Sequence, residues 1–484
     1  MNDFPAGPAT AEAVPRRLPR LMVAALRGGS GKTTLTLGLI QALKDRGLSV
    51  APFKKGPDYI DPFWHSEAAG APCRNLDPYL MGAEQVRASF AYHARGFDAA
   101  VVEGNRGLYD GMDAQGSYSS AELAKLIGLP VVLVVDCSMA SRTVAAVVLG
   151  CQRFDPELSL AGVVLNPVAN ARQEGVIRRA ISDATGLPVL GAVPRLAFDL
   201  PERHMGLLPP QEHARAAEAL RQAARGVAAH VDVPALLSVM DRTPPLADSG
   251  PPKGLFPPQP PAEGAPRIGV IRDAAFGFYY PENLESLANH GARLVFCSAL
   301  TDDDLPSVDA LYLGGGFPET HAERLAANRG FKAALLAAHR AGLPIYAECG
   351  GLMYLGRRLI AGGGEHDMAG VFPLDFAMQK RPQGHGYTLC RVQAANPFWP
   401  LGLEFRAHEF HYSKPLPLEG ARLDFAFRVA RGRGVIGDGE GLIRRATVGT
   451  YHHVHALGLP AWAPGFLAAA GGAGHKPDLA PLVA

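Results

Sequence analysis

The chain has no apolar run approaching the ~20 residues that a helix needs to cross a bilayer, so no helical membrane span is expected. It has only six cysteines, scattered over 484 residues. That is no disulfide framework, and the expected compartment is the cytoplasm. It has almost no excess charge of either sign, with a formal net charge of +1. Nothing global therefore argues for nucleic acid or an anionic membrane as a partner, and recognition of an anion must rest on local charge. Arg16, Arg17 and Arg20 look like the charged start of a signal peptide. The apolar run that follows, Leu21 to Leu26, is too short for a signal core and leads straight into a glycine loop, so residues 1–18 are read as a disordered leader.

What is present is a globular composition. Hydrophobic residues make up 48% and charged residues 19%, which fits a well-packed soluble protein. The length exceeds one ordinary core and predicts two or three domains. In the first half, short aliphatic runs (Leu21–Leu26, Ala99–Val102, Val131–Val135, Ala161–Leu165, Val189–Val193) alternate with amphipathic stretches such as Thr34–Arg46. Buried strands alternating with helices predict an α/β fold with a parallel sheet. Residues 243–266 are rich in paired prolines and carry no periodic pattern. Proline fixes φ and donates no ladder hydrogen bond, so this stretch reads as a linker. Strands restart at Arg267–Ile271, Arg293–Phe296, Ala310–Leu313 and Pro344–Ala347, predicting a second α/β domain. The expected organisation is a leader (1–18), a first domain (19–242), a linker (243–266), a second domain (267–460) and a flexible tail (461–484), whose Ala, Gly and Pro promise little order.

The first glycine loop is Arg27-Gly28-Gly29-Ser30-Gly31-Lys32-Thr33-Thr34, between a strand and a helix. Such a loop curls so that backbone N–H groups point at phosphate oxygens. The helix N-terminus adds its dipole, Lys32 a full charge, and Thr33 a hydroxyl for Mg²⁺. Gly28, Gly29, Ser30, Gly31, Lys32, Thr33 and Thr34 are thus the expected ATP-binding residues. Position 26 is Leu26 where the usual pattern has Gly. Two carboxylate-bearing loops accompany this one. Lys54-Lys55-Gly56-Pro57-Asp58-Tyr59-Ile60-Asp61-Pro62 packs cations and carboxylates together, and Glu103 ends an apolar strand with Asp110 in the loop beyond. Ligand sites of open α/β sheets lie at such strand ends.

The second half holds strand, Glu348-Cys349-Gly350-Gly351, then helix. A sharp turn with small neighbours exposes the Cys349 nucleophile, and the helix N-terminus favours thiolate. The glycines ending the strand Ala310–Leu313 are the natural oxyanion donors. Gly315, Gly316 and Gly350 are the expected set. A base is sought in Tyr451-His452-His453-Val454-His455. On a strand His453 and His455 would share a face, which allows a metal pair, but no Cys or carboxylate stands beside them in sequence. His408-Glu409-Phe410-His411 is one residue short of a zinc-binding H-E-x-x-H.

These motifs carry a resemblance. K-K-G-P-D-Y-I-D-P, N-L-D-P-Y-L-M (Asn75 to Met81) and V-E-G-x-x-G-L-Y-D-G are similar to the amidating domain of the cobyrinic acid a,c-diamide synthase family. Asp273-Ala-Ala-Phe-Gly-Phe-Tyr-Tyr280-Pro-Glu282-Asn283-Leu and H-E-F-H-Y-S also resemble it, and the family's P-loop likewise lacks Gly at the position of Leu26. Ala299 departs from the proline expected there. The P-loop and V-E-G are similar to dethiobiotin synthetase as well. That resemblance implies a P-loop NTPase-like first domain with Thr33, Asp58 and Glu103 as Mg²⁺ ligands or near-ligands. Tyr59, Ile60, Asp61 and Asp110 would then shape the substrate and acyl-phosphate site. The second domain resembles a class I glutamine amidotransferase. In the cobyrinate type of pattern, aligned on Tyr451, the base is His453, and His455 stands where an orienting Glu would be. This predicts a Cys349–His453 dyad without a carboxylate, or with one supplied from elsewhere.

The resemblance implies ATP- and glutamine-dependent amidation of the a and c carboxylates of cobyrinic or hydrogenobyrinic acid, in cobalamin biosynthesis. ATP is the cosubstrate and Mg²⁺ the cofactor. The implied partners are a corrinoid or related tetrapyrrole polycarboxylate, glutamine and ATP, with a homodimer allowed. A nickel-sirohydrochlorin a,c-diamide synthase would carry similar motifs. A cobyric acid synthase would lack K-K-G-P-D-Y-I-D-P. A reading of another class is a P-loop ATPase whose amidotransferase-like half is an inactive binding module; intact Cys349 and His453 speak against it.

Overall fold

The computed structural model describes residues 17–195, 202–203, 206–207, 216–246, 252 and 261–471. Residues 1–16 of the expected leader, most of the proline-rich linker and residues 472–484 of the expected tail lie outside the described residues. Contacts divide the chain into two units. One runs to Pro251; the other comprises Tyr79–Met81 and the chain from Pro252 onward.

The first unit is a parallel sheet of strands β1 (Arg20–Ala25), β2 (Val50–Lys55), β3 (Arg74–Leu76), β4 (Ala99–Glu103), β5 (Val131–Val135), β6 (Leu160–Val168) and β7 (Val189–Pro194). Their order is β3-β2-β4-β1-β5-β6-β7, and every pair is parallel. Aliphatic β1, β4 and β5 are buried at every position, as strands covered on both faces must be. Strands β2 and β3 escape a reading by hydrophobicity, because β2 ends in Lys54-Lys55 and β3 is Arg-Asn-Leu. Those polar residues cluster near the carboxyl end of the sheet. With β1 flanked by β4 on one side and β5 on the other, the order reverses there, and the crevice of an open α/β sheet lies at such a point.

The second unit carries a nine-stranded mixed sheet. Arg293–Cys297, Arg267–Ile271, Ala310–Leu313, Ile345–Glu348 and Thr447–Thr450 lie side by side and run parallel. Gly439–Arg444, Asp424–Arg431, Gly384–Val392 and Glu404–His411 extend it as antiparallel ribbons. These ribbons read poorly in the sequence, since polar and apolar residues alternate in them, as where Phe405 and Ala407 are buried between exposed Glu404 and Arg406. Successive residues of Ala310–Leu313 point to opposite faces. Leu311 and Leu313 enter one apolar core, while Ala310 and Tyr312 enter the other.

The stretch from Ala461, expected as a flexible tail, opens instead with the helix Trp462–Ala470. Trp462 and Phe466 are fully buried, and both pack on Tyr312 and Tyr346 of the sheet. Their i, i+4 spacing puts two aromatic rings on one helical face. That burial outweighs the flexibility suggested by the alanines and glycines around them.

Candidate functional site

The first unit's site is built on the loop after β1. Gly29 (φ 71°) and Gly31 (φ 86°) both take left-handed backbone, which glycine adopts at no steric cost. Helix α1 (Lys32–Lys44) starts directly after Gly31, two residues earlier than expected, and no side chain caps it. Its first-turn N–H groups therefore face the loop, as an anion would require. A Cβ at Gly28 or Gly29 would meet nothing within 4 Å, so the loop's outer face is open. The Asn166 amide holds the Ser30 carbonyl at 2.9 Å. Lys32 Nζ donates to the Arg27 carbonyl at 3.0 Å, and burial, partly offset by Glu103, lowers its pKa. Thr34 follows on the first turn of the helix.

Glu103, at the end of β4, is completely buried and takes three donors. Thr33 Oγ1 donates at 3.0 Å, Lys54 Nζ at 2.8 Å, and His65 Nε2 lies at 2.7 Å. Burial alone would favour the neutral acid, but Lys54 and His65 outweigh it and hold Glu103 below the carboxylate range. Burial also works against charge on Lys54, yet Asp61, Glu103 and Asp58 together raise its pKa.

Asp61, expected at the substrate and acyl-phosphate site, is turned toward Lys54. It sits in the first turn of helix α2 (Ile60–Ala69), where its carboxylate pairs with Lys54 Nζ at 2.5 Å. Burial and the neighbouring Asp58 push its pKa up to about 7. Asp58 is the more open of the two; its Oδ1 accepts from Ile60 N at 2.9 Å and so caps the helix start. Tyr59 and Ile60 are buried. Asn75 donates to the Gly56 and Asp58 carbonyls, both at 2.7 Å, pinning this loop from β3. Asp110 closes its own loop by accepting from Gly107 N at 3.0 Å, and its charge faces Lys32. His65 is a residue that sequence reasoning missed. The signal was its i, i+4 spacing from Asp61 on a helix whose start opens the K-K-G-P-D loop.

The second unit's site centres on Cys349, between the strand Ile345–Glu348 and the helix Gly350–Leu355. Its backbone stands at φ 45°, ψ −98°, a strained conformation for a residue with a Cβ and one that concentrates at functional sites. The turn is fixed by Cys349 N donating to the Thr450 carbonyl at 2.7 Å. The thiol faces the Phe410 carbonyl at 3.9 Å. Burial, Glu319 and Glu348 push the thiol pKa up, against the thiolate-favouring helix start expected from sequence; a Gly350 backbone hydrogen bond offsets this only in part.

His453 is next to this turn. The His453 ring abuts Gly315, where any Cβ would strike it, and a Cβ on Gly350 would come within 2.9 Å of Gly316 N. Gly315, Gly316, Gly350, Cys349 and His453 are therefore brought together. The carboxylate beside the His453 ring is that of Glu348, the residue before Cys349. Its Oε2 lies 3.2 Å from His453 Nδ1, while Tyr312 Oη donates to the same oxygen at 3.3 Å. Nδ1 thus carries the proton and Nε2 is left as the basic nitrogen. His455 turns away, with Nε2 3.7 Å from Glu282 and Nδ1 accepting from Leu457 N. Glu348→Gln should lower glutamine hydrolysis about 10²-fold with little change in KM, because the imidazole loses its fixed tautomer. Steady-state glutaminase kinetics read this; an unchanged kcat would remove Glu348 from the role.

His408, on the strand Glu404–His411, stacks on His453 with ring centroids 5.0 Å apart and exchanges backbone hydrogen bonds with it. The H-E-F-H stretch therefore lies on a strand beside His453, not on a helix. Among the described residues no three His, Cys, Asp or Glu side chains converge to hold a metal, and no helix is long and apolar enough to cross a membrane.

Two family models match the chain, a CobQ/CobB/MinD/ParA nucleotide binding domain over residues 21–208 and a CobB/CobQ-like glutamine amidotransferase domain over 267–460. The chain is similar over nearly its whole length to proteins named cobyrinate a,c-diamide synthase. That of Magnetococcus marinus is 46% identical, covering 94% of this chain and 97% of the relative. That of Archaeoglobus fulgidus is 42% identical, covering 92% and 96%. That of Listeria innocua is 38% identical, covering 91% and 97%.

Proposed function

The chain belongs to the cobyrinate a,c-diamide synthase family and is a glutamine-dependent amidating ligase, and from that premise we propose that it amidates the a and c carboxylates of cobyrinic or hydrogenobyrinic acid through acyl phosphates. The observation that carries the reading is the pairing of two chemistries in one chain. An open left-handed glycine loop leads into Lys32, and a strained Cys349 elbow is backed by His453 and Glu348.

In this reading residues 19–242 form the ligase domain and residues 267–460 the glutaminase domain. The N–H groups of Gly28 to Thr34 bind the ATP phosphates. Lys32 balances charge on the transferring phosphoryl oxygens. A carboxylate oxygen of the macrocycle attacks the γ-phosphorus and ADP leaves. Ammonia then attacks the acyl carbon and phosphate leaves. Asp110, Tyr59 and Ile60 line the macrocycle side, with Lys54, Lys55 and Arg106 offsetting repulsion between carboxylates. Asp61 belongs with Lys54 and Glu103 and acts by holding that lysine.

The oxygen donors around Thr33 suit Mg²⁺. Thr33 and Glu103 are already 3.0 Å apart, Asp58 is partly open beside Lys54, and three carboxylates already surround the Lys54 ammonium. Mg²⁺ is held by few protein oxygens plus substrate phosphates, so a complete protein cage is not needed. When bound with ATP it would supply charge neutralisation between the phosphates.

In the other domain His453 Nε2 takes the Cys349 proton as sulfur attacks the glutamine amide. Backbone N–H groups of Gly315, Gly316 and Gly350 receive the oxyanion. His453 returns the proton to the leaving ammonia, and water later frees glutamate from the thioester. The test is to incubate the protein with ATP, Mg²⁺, glutamine and, in turn, cobyrinic acid, hydrogenobyrinic acid and nickel-sirohydrochlorin, and to weigh the products. Two exchanges of OH for NH₂ on the first or second macrocycle are expected. Amidation of the nickel compound alone would reassign the substrate.

A further inference from the structure

Beside Cys349 lies a set of buried acceptors that the glutaminase chemistry does not use. Glu409 and His411 flank Phe410, whose carbonyl faces the Cys349 thiol. Glu409 Oε1 accepts from Arg433 N at 2.8 Å, but its Oε2 has no hydrogen-bond partner among the described residues. Glu440 repeats the pattern: Oε1 accepts from Gly441 N at 2.7 Å and Tyr451 N at 3.1 Å, while Oε2 has none. His411 stacks flat on Tyr451 and lies 2.9 Å from the Ser413 carbonyl through Nδ1. A carbonyl only accepts, so Nδ1 carries the proton and Nε2 presents a lone pair. That Nε2 is also without a partner, and it lies 3.7 Å from Glu409 Oε2. Glu409, His411 and Glu440 are all more than nine-tenths buried.

Glu409 and His411 face each other, and Glu409 and Glu440 are both neighbours of His452. His452 Nε2 stands 3.9 Å from Glu409 Oε2 and 3.7 Å from Glu440 Oε2, but it spends its proton on the Arg433 carbonyl at 2.9 Å. Neither carboxylate has a Lys or Arg side chain paired with it among the described residues. A second proton on His411 would point at Glu409 across 3.7 Å, beyond hydrogen-bond reach. A buried carboxylate oxygen with neither a donor nor a cation beside it is costly. Water has two hydrogens for three acceptors. Ammonia has three and ammonium four, and ammonium also brings the missing positive charge.

We propose that Glu409, His411 and Glu440 form a station that takes up the ammonia released at Cys349, as ammonium, before it is delivered onward. The chemistry balances. The glutamine amide and the Cys349 thiol give the thioester and NH₃; water then gives back the thiol and a glutamate carboxyl, and the proton which that carboxyl loses is the one ammonium carries in the station and gives up on leaving. The proposal deepens the ligase reading and rests on it for the destination of the nitrogen, though not for the binding.

The informative variants are Glu409→Gln and Glu440→Gln. Each keeps one acceptor oxygen for the backbone N–H it now serves. Each also replaces the orphan oxygen with an NH₂ donor, and in Glu409→Gln that donor faces His411 Nε2 directly. Both remove a buried charge and keep the backbone hydrogen bonds, so both should fold. Binding is read as the rise in Tm on replacing sodium chloride with ammonium chloride at matched ionic strength. The parent should show it and both variants should lose it. Equal responses in parent and variants, the result if only a water or a histidine proton fills the gap, would overturn the site. Delivery is read by supplying unlabelled glutamine with ¹⁵N-ammonium in the medium. The parent should place glutamine nitrogen in the amide, while the variants should spend about 10-fold more glutamine per amide and admit the ¹⁵N label. Unchanged coupling in variants that have lost the ammonium response would overturn the relay. A parent that shows the Tm response but forms no amide would instead overturn the ligase reading and leave the station standing.

Discussion

Cys349→Ser abolishes amide formation from glutamine and leaves amide formation from ammonium salts intact. The expectation follows from how the cysteine is held. Its strained backbone and its hydrogen bond to Thr450 fix one atom against the Gly315–Gly316 and Gly350 backbone. A serine hydroxyl fits that turn, so the fold is kept, but its pKa lies far above the reach of a histidine base with one carboxylate behind it. Burial already raises the Cys349 thiol, and the same burial penalises an alkoxide more. The loss is therefore confined to the source of nitrogen. Rates with glutamine and with ammonium chloride, measured side by side, check it. Equal loss with both donors would break the division into two sites.

Lys32→Ala removes amide formation from either nitrogen source by at least ~10³-fold, on the scale of losing a key charge on a transferring phosphoryl group. Glutamine hydrolysis measured without ATP survives. Lys32 is buried at the start of α1 and folded back on the Arg27 carbonyl, where it closes the loop that would wrap the phosphates. Burial lowers its pKa while Glu103 and Asp110 support its charge, so the ammonium is poised against anions and has little water of its own. The alanine leaves the left-handed glycines as they are. ATP-dependent amidation with ammonium as donor, compared between parent and variant, gives the answer; amidation that persists would make the glycine loop a structural turn.

Local turn chemistry was readable in the sequence because it needs only neighbours. Gly29 and Gly31 before Lys32, Glu103 at a strand end and Cys349 between strand and glycines are contiguous signals, and each stands where the pattern said. What escaped depends on contacts between distant residues. Glu348 and His453 are 105 residues apart and meet only because Ile345–Glu348 and Thr447–Thr450 pair in parallel. The expectation was a dyad without a carboxylate, or with one supplied from elsewhere; the carboxylate beside His453 is that of Glu348, one residue before the cysteine. The pairing of Asp61 with Lys54 escaped the sequence for a related reason. The loop turns into helix α2 at Ile60, and the first turn brings the carboxylate to Lys54. The helix Trp462–Ala470 was missed by weighing composition above spacing, although Trp462 and Phe466 stand one helical turn apart.

The most direct test of the account follows oxygen. Cobyrinic acid carrying ¹⁸O in its carboxylates is incubated with ATP, Mg²⁺, glutamine and the protein in unlabelled water, and the inorganic phosphate is weighed. Activation through an acyl phosphate predicts one ¹⁸O atom in phosphate for every amide formed. Amide formed with unlabelled phosphate, or with the label in AMP, would contradict it.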